Sequence, residues 1–94
     1  MNVVRVAVFD EVPELQEDDE RRAASLRELV RNVPGFVAGF HLREEGTGRL
    51  MSFTIWESDQ ALERGEEVVR ERPPSDQRGI QPSRVETWVL EGTF

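Results

Sequence analysis

The chain has 94 residues, and its 19 acidic and 12 basic residues give a net charge of -7, which disfavours nucleic acid and anionic membranes as partners. Every basic residue is an arginine, so Schiff-base and P-loop lysines are excluded. With no cysteine and no apolar run of 18 residues, we predict a cytoplasmic protein without disulfides, thiolate chemistry or a membrane span.

The first third of the chain predicts a strand followed by an amphipathic helix. Residues 3–9 are short and rich in β-branched side chains, as in a buried strand. Pro13 and the acidic run at residues 17–20 fit a helix entrance, since carboxylates interact favourably with the positive end of the helix dipole. An apolar stripe then recurs at helical spacing, formed by Ala23, Leu26, Val30 and Val33.

The middle of the chain predicts a hairpin and a second helix. Pro34 and Gly35 stop the first helix, because the residue before proline avoids the α region and glycine accepts reversed dihedrals. Residues 36–44 and 49–56 read as strands joined by a glycine turn at 45–48. Ser58 is a good N-cap for a helix whose Leu62, Gly65 and Val69 share one side.

The remaining residues complete a recognisable order of elements. Pro73 and Pro74 end the second helix, residues 75–82 form an exposed loop that is either a connector or a lid, and residues 84–90 form a fourth strand. Strand, helix, strand, strand, helix, strand is the order of an α+β ferredoxin-like βαββαβ sandwich with a four-stranded antiparallel sheet. We predict one such domain over residues 1–94.

Strand alternation divides the side chains into two faces. We expect the helices to cover the more apolar face, which carries Val4, Val6, Val8, Phe36, Ala38, Phe40, Leu42, Met51, Phe53 and Ile55. The other face gathers Arg5, His41, Ser52, Thr54 and Trp56 into a mixed surface that a partner sheet or a ligand should cover. For the fourth strand, Trp88 with Leu90 and Val85 with Val89 are both plausible inward pairs.

Each candidate for chemistry on the mixed face also has an ordinary structural interpretation. His41, the one imidazole, is either a base or a surface histidine, and without a second histidine we predict no metal site. Arg5 and Arg43 hold an anion or pair with carboxylates. Trp56 stacks on an aromatic ligand or packs at the strand end. A solvated helix face is predicted for Glu63, Glu66, Glu67 and Glu71.

Three short motifs carry a family resemblance. They are Val-Pro-Gly-Phe at residues 33–36, the acidic glycine-containing hairpin turn, and Trp-Glu-Ser at residues 56–58 followed by Ala61. With these motifs the chain resembles the antibiotic biosynthesis monooxygenase-like proteins, or dimeric α+β barrels. The resemblance implies a homodimer whose two sheets close into a barrel, with a pocket between the sheet and helices of each subunit. Some relatives oxidise polycyclic phenols to quinones with oxygen and no cofactor, and others degrade haem.

The resemblance also identifies where this chain departs from those relatives. In quinone-forming members the tryptophan matching Trp56 lines the pocket, with an asparagine four residues earlier and a tyrosine six residues later. Here those positions hold Ser52 and Leu62. Ser52 still donates one hydrogen bond, but Leu62 cannot transfer a proton. Haem-degrading members place a histidine in the second helix, and no histidine follows His41 here, so we predict no haem, no metal and no other cofactor.

The sequence therefore leads to two alternatives for function. One is a homodimer that binds an apolar or aromatic metabolite and acts on it as a cofactor-independent monooxygenase. In that case Trp56 stacks on the substrate, Ser52 bonds a phenolate oxygen, and His41 or Arg5 stabilises the reacting anion. Thr54 and Phe9 complete the predicted substrate-binding set. The alternative is a non-catalytic ligand-binding or structural dimer of the same fold.

Overall fold

The computed structural model describes residues 1–12, 14, 16–77 and 80–94. Its elements are strand β1 (Val3–Phe9), helix α1 (Glu17–Arg31), strand β2 (Phe36–Arg43), strand β3 (Leu50–Trp56), helix α2 (Asp59–Arg70), a short 3-10 turn (Pro74–Asp76) and strand β4 (Arg84–Val89). The order matches the prediction, and strand bounds differ from it by at most one residue. The predicted helix-entrance role of Pro13 lies outside the described residues.

The described strands form one antiparallel sheet in the order β2-β3-β1-β4. Strand β1 is therefore central, and it pairs with β3 on one side and β4 on the other. With two helices packed against this sheet, the predicted ferredoxin-like α+β fold is confirmed. The hairpin of β2 and β3 is also confirmed. A register irregularity between Phe36 and Ala38 breaks the alternation there, so Phe36 lies opposite Trp56 and not, as predicted, on the face of Ala38.

The ends of the helices follow the predicted capping chemistry. At the start of α1, the carboxylate of Asp19 accepts a hydrogen bond of 3.0 Å from the backbone N–H of Gln16. Ser58 is the N-cap of α2, and its hydroxyl accepts from the backbone N–H of Ala61 at 3.1 Å. Gly35, just beyond α1, has φ +92°, so only glycine adopts this turn without strain.

One cluster of buried side chains lies between the helices and one end of the sheet, and Val6, Ala7 and Val8 of the central strand are buried outside it. Val3 of β1, Val33 after α1, Trp56 of β3 and Leu62 of α2 form the centre of this cluster. Trp56 contributes the largest buried side chain, with 2% of its surface exposed. Both helices therefore contribute side chains that pack around Trp56 at this end of the sheet.

The helices cover the mixed face of the sheet, so the expectation that they cover the more apolar face is wrong. Arg5 forms an ion pair with Glu66 of α2, and His41 lies beside Arg27 of α1. Alternation determines which side chains share a face, but the right-handed crossover between parallel strands determines which face receives the helix. The mixed face is called the helix-covered face below, and the face carrying Phe40 is called the open face.

The register also resolves the ambiguity of β4. Thr87 pairs with Arg5, and Trp88 pairs with Val4. Val85, Thr87 and Val89 therefore share the helix-covered face, whereas Trp88 lies on the open face. There Phe40 is 52% exposed and Trp88 is 59% exposed, so this single chain leaves large apolar side chains in water.

The segment before β4 begins close to helix α2. The side chain of Gln77 donates to the backbone carbonyl of Arg70 at 3.1 Å, which ties the start of the 75–82 loop to the end of α2. The suggested lid role of that loop includes Arg78 and Gly79, which lie outside the described residues. Of the helices in the described part of the chain, none has the length and hydropathy needed to cross a bilayer.

Candidate functional site

All six candidate residues lie on the helix-covered face. The register pairs Arg5 with Thr54, and it pairs Ser52 with both Ala7 and His41. Trp56 pairs with Val3 at one end of β1, and Phe9 lies at the other end. Alternation thus predicted the shared face correctly. The functional roles of the six residues stay predictions.

Trp56 is held on every side by the core. Its ring meets the ring of Phe36 edge to face, with centroids 5.4 Å apart and planes at 78°. It also lies directly against Gly65, where an added Cβ would come within 2.8 Å of Trp56 Cζ2. The indole N–H donates to Thr54 Oγ1 at 3.0 Å. In this conformation the ring of Trp56 fills the core, and its N–H fixes the position of the Thr54 hydroxyl.

Thr54 has one hydrogen-bonding function left after this contact. A hydroxyl carries one donor and two acceptor sites, and its oxygen accepts from Trp56. Since an indole N–H cannot accept, the Thr54 proton is directed elsewhere. Thr54 lies directly across from Arg5 in the register, where opposed Cβ atoms are about 4.5 to 5.5 Å apart.

Arg5 is a charged side chain at the centre of the sheet, pointing toward α2. Its side chain is 30% exposed, and its Nε lies 3.5 Å from Oε1 of Glu66. Among the described residues, no group makes a hydrogen bond to this Nε, although the atom is buried. A buried donor without an acceptor costs about 1–3 kcal/mol, and a charged group costs more. An incoming oxygen atom would recover that energy.

Glu66 was missed by the sequence reasoning, which placed it on a solvated helix face. In the structure it is a half-buried residue whose carboxylate faces the sheet and pairs with Arg5. A signal was available, because Glu66 is four residues after Leu62 and three before Val69, within the apolar stripe of α2. A charged residue inside such a stripe needs a partner from the opposite layer.

His41 lies near the edge of the helix-covered face, beside helix α1. Nε2 of His41 is 3.4 Å from Nη1 of Arg27, and because arginine only donates, this contact requires an unprotonated Nε2. Burial, and secondarily the positive charge of Arg27, lower the pKa of His41 below its usual 6.5. The lowered pKa favours the neutral imidazole, and the contact with Arg27 favours the tautomer with its proton on Nδ1.

The candidate residues form two groups along the strands. Arg5, Thr54 and Trp56 are linked through register and hydrogen bonding, and Glu66 joins them from α2. Ser52 and His41 are cross-strand partners farther along the sheet. Phe9 is about 13 Å from Arg5 along β1, since four residues of strand advance about 3.3 Å each. The structure thus brings Phe9 to neither group.

Two grooves lie on the helices rather than at these groups. One groove, of about 390 Å³, lies between α1 and α2 and is lined by Leu26, Leu29, Val68 and Pro73, with charged residues at its rim. The other, of about 540 Å³, runs along α1. None of the six candidate residues lines either groove. Neither groove therefore leads to Arg5, and a ligand would approach it where its partly exposed side chain meets solvent.

Comparison with known proteins gives a family match and several similar folds. The family model described as antibiotic biosynthesis monooxygenase matches residues 2–64. No curated protein matches the chain. Among solved structures, the fold resembles SnoaB, a cofactor-independent oxygenase from Streptomyces nogalater, with a TM-score of 0.75, 20% identity, and coverage of 98% of this chain and 95% of that one.

Two further structures have the same fold. A heme-degrading protein from Mycobacterium tuberculosis gives a TM-score of 0.68 at 24% identity, covering 100% of this chain and 99% of that one. A putative monooxygenase from Shewanella loihica gives a TM-score of 0.74 at 15% identity, covering 98% and 96% respectively. At these identities the likeness establishes the fold.

Proposed function

This chain belongs to the antibiotic biosynthesis monooxygenase family, and from that premise we propose that it binds an apolar or aromatic metabolite at its helix-covered face and oxidises it with molecular oxygen, without a bound cofactor. The observation that carries the proposal is Arg5, whose buried Nε lacks a hydrogen-bond acceptor among the described residues. That atom, beside Thr54, is suited to an oxygen atom of a substrate.

The proposed chemistry draws its electrons from the substrate itself. A phenol C–H becomes a quinone carbonyl, one atom of O₂ enters the product, and the other leaves as water. The phenol supplies all four electrons, so no reductant is needed. The protein's contribution is to bind the neutral phenol and to stabilise the oxyanion that forms when the phenol loses its proton at the site, because an electron-rich anion reacts with oxygen more readily than the neutral phenol.

The residues divide this work by position. Arg5 and Thr54 donate hydrogen bonds to the substrate oxygen, and the buried ring of Trp56 fixes Thr54 through its N–H. Ser52 and His41 form the second polar pair on the same face. A substrate that stacks on Trp56 needs that ring to become exposed first. Phe9, about 13 Å from Arg5 along β1, contacts only a substrate long enough to reach that end of the strand.

Haem does not fit the residues of this chain. Helix α2, Asp59–Arg70, contains no histidine, cysteine, methionine or tyrosine to ligate iron. His41 lies instead on β2, with Arg27 donating to its Nε2. Within the described residues, no group of three or more histidine, cysteine, aspartate or glutamate side chains is arranged to hold a metal ion. No step of the proposal passes through haem.

The test of the proposal is oxygen uptake by the purified chain with a reactive polycyclic phenol. We expect Trp56→Phe and His41→Gln to lower the rate by at least tenfold. Trp88→Phe is the matched control for Trp56, because it makes the same change on the open face, where the ring is 59% exposed. Unchanged uptake in both Trp56→Phe and His41→Gln would remove the assignment.

We further propose that a second copy of the chain covers the open face. That face exposes Phe40, Leu42 and Trp88, and an apolar surface of this kind is typical of a protein interface. Phe40→Arg is expected to give a monomer in size-exclusion chromatography. Leu29→Arg also replaces an exposed apolar side chain with arginine, but on α1. It should leave the elution volume unaltered. Dimers persisting in Phe40→Arg would refute this.

A non-catalytic protein is the second candidate, and the packing of Trp56 favours it. The ring is 2% exposed and the two grooves lie elsewhere. A binding protein of this kind is stabilised by RT ln(1 + [L]/Kd), about 2.7 kcal/mol at a hundredfold excess over Kd. A thermal-shift screen that finds a stabilising phenol without oxygen uptake would support this alternative over the monooxygenase.

A further inference from the structure

We propose that Glu66 determines the charge selectivity of the Arg5 site, so that the site takes a neutral hydroxyl group and excludes ligands that carry a negative charge. The proposal rests on the function inferred above, because it assumes that the ligand oxygen approaches Arg5 on the helix-covered face. It assigns a specificity-determining role to a residue of α2 outside the family-motif residues.

The Arg5–Glu66 contact is an ion pair that leaves hydrogen-bonding capacity unused. The 3.5 Å between Nε and Oε1 exceeds the 2.7–3.2 Å of an ordinary N–H to oxygen hydrogen bond. Arg5 Nε is buried and has no hydrogen-bond acceptor among the described residues. The two side chains are 30% and 38% exposed, so solvent reaches the ion pair, and a ligand oxygen reaches the buried Nε once the Arg5 side chain shifts. The charge is balanced, but the donor still lacks an acceptor.

Thr54 adds a second donor at the same place. It is the register partner of Arg5, and its oxygen already accepts the Trp56 N–H, which leaves its own proton to donate. On the other side of Arg5, the register partner is Thr87, which is uncharged. Arg5 and Glu66 are therefore the two charges that these contacts bring to the site, and they cancel.

Two donors beside one carboxylate match the hydrogen bonds of a neutral hydroxyl group. The ligand oxygen accepts from Arg5 Nε and from the Thr54 hydroxyl, and its O–H donates to Glu66. A ligand carboxylate satisfies the donors equally well but places a negative charge against Glu66, which disfavours binding in a partly desolvated site. A phenol is accepted for this reason, and an aromatic acid of the same shape is rejected.

The experiment compares two probes of one shape in the full-length chain. Equilibrium dialysis at pH 7 and low salt gives dissociation constants for 2-naphthol, which is neutral, and 2-naphthoate, which is an anion. The original chain is expected to bind 2-naphthol at least tenfold more tightly. In Glu66→Gln, 2-naphthoate should bind about tenfold more tightly than before, with less than a threefold change for 2-naphthol.

Two variants separate selectivity from general effects of charge or folding. Glu67→Gln makes the same charge change at an exposed position of α2, and it should shift either constant less than twofold. Glu66→Asp keeps the charge and should keep the preference for 2-naphthol. Equal effects of Glu66→Gln and Glu67→Gln would overturn the proposal. A chain that prefers 2-naphthoate, or that binds neither probe, would overturn it as well.

Oxygen uptake is measured separately, so the two proposals fail in different ways. A preference for 2-naphthol that depends on Glu66, without oxygen uptake from any phenol tried, supports the role of Glu66 and refutes the proposed monooxygenase activity. Oxygen uptake together with a preference that ignores Glu66→Gln supports the monooxygenase and removes the role of Glu66.

Discussion

Gly65→Ala tests whether the packing of Trp56 against α2 is as close as the structure shows. An added Cβ would lie 2.8 Å from Cζ2 and 3.0 Å from Cζ3 of Trp56, and closer still to Cη2. The indole cannot retreat easily, because it is 2% exposed and its N–H is bonded to Thr54. The substitution therefore forces the ring or the helix to move.

Two opposing effects set the size of the change. Replacing glycine by alanine inside a helix contributes about 1 kcal/mol of stability. Overpacking a filled core costs about 1–3 kcal/mol, and three ring atoms within 3.0 Å place this site in the upper part of that range. We expect a net loss of about 1–2 kcal/mol, which lowers Tm by roughly 4–8 °C per kcal/mol for a chain of this size.

The assay is a double-mutant cycle with Trp56→Phe, followed by thermal and urea unfolding. Phenylalanine lacks the distal ring that carries the three contacted atoms, so Gly65→Ala should cost nothing in that background and gain up to about 1 kcal/mol. Fluorescence is informative too, since Trp56 is buried and Trp88 is 59% exposed. An equal free-energy change in both backgrounds would refute the argument, as would a raised Tm in the original chain.

Three further predictions concern single contacts. Thr54→Val leaves the buried N–H of Trp56 without an acceptor and should cost about 1–3 kcal/mol in urea unfolding, whereas Thr54→Ser should cost much less. Burial lowers the pKa of His41 in the folded state, so stability should fall as pH drops below about 6.5 and level off below the lowered value, and His41→Gln should abolish that step. The Arg49 guanidinium and, second, the Thr47 hydroxyl hold the pKa of Glu44 below its usual 4.5. This stabilisation is present above that value and lost as pH falls through the lowered one. An NMR titration of Arg49→Gln should show the pKa of Glu44 rise toward its usual value, with the Thr47 contribution remaining.

The sequence predicted the elements well because local chemistry determines them. Ser58 caps α2 through its hydroxyl, and Gly35 adopts a positive φ after α1. The acidic first turn of α1 and the hairpin between β2 and β3 are also present. Each feature depends on residues within a few positions of one another, so the local sequence contains enough information to predict it.

The candidate site was predicted in part for the same reason. Alternation along two strands brought Arg5, Thr54 and Ser52 to one face, and the register confirms it. Glu66 was missed because its partner is on another layer, 61 positions away in the sequence. The sequence also did not predict that Gly65 leaves room for the ring of Trp56, since helical spacing alone gives no distance between the helix and the sheet.

By itself, the sequence determined the order of the elements, the sets of side chains that share a strand face, and the family. Only the tertiary structure decided that the helices cover the face of Arg5 and leave the face of Phe40 open. The physical reason is that the two-residue period of a strand determines which side chains share a face, but not which face the helices cover. The right-handed crossover between parallel strands determines that. That choice buries Trp56 against α2 and brings Glu66 to Arg5.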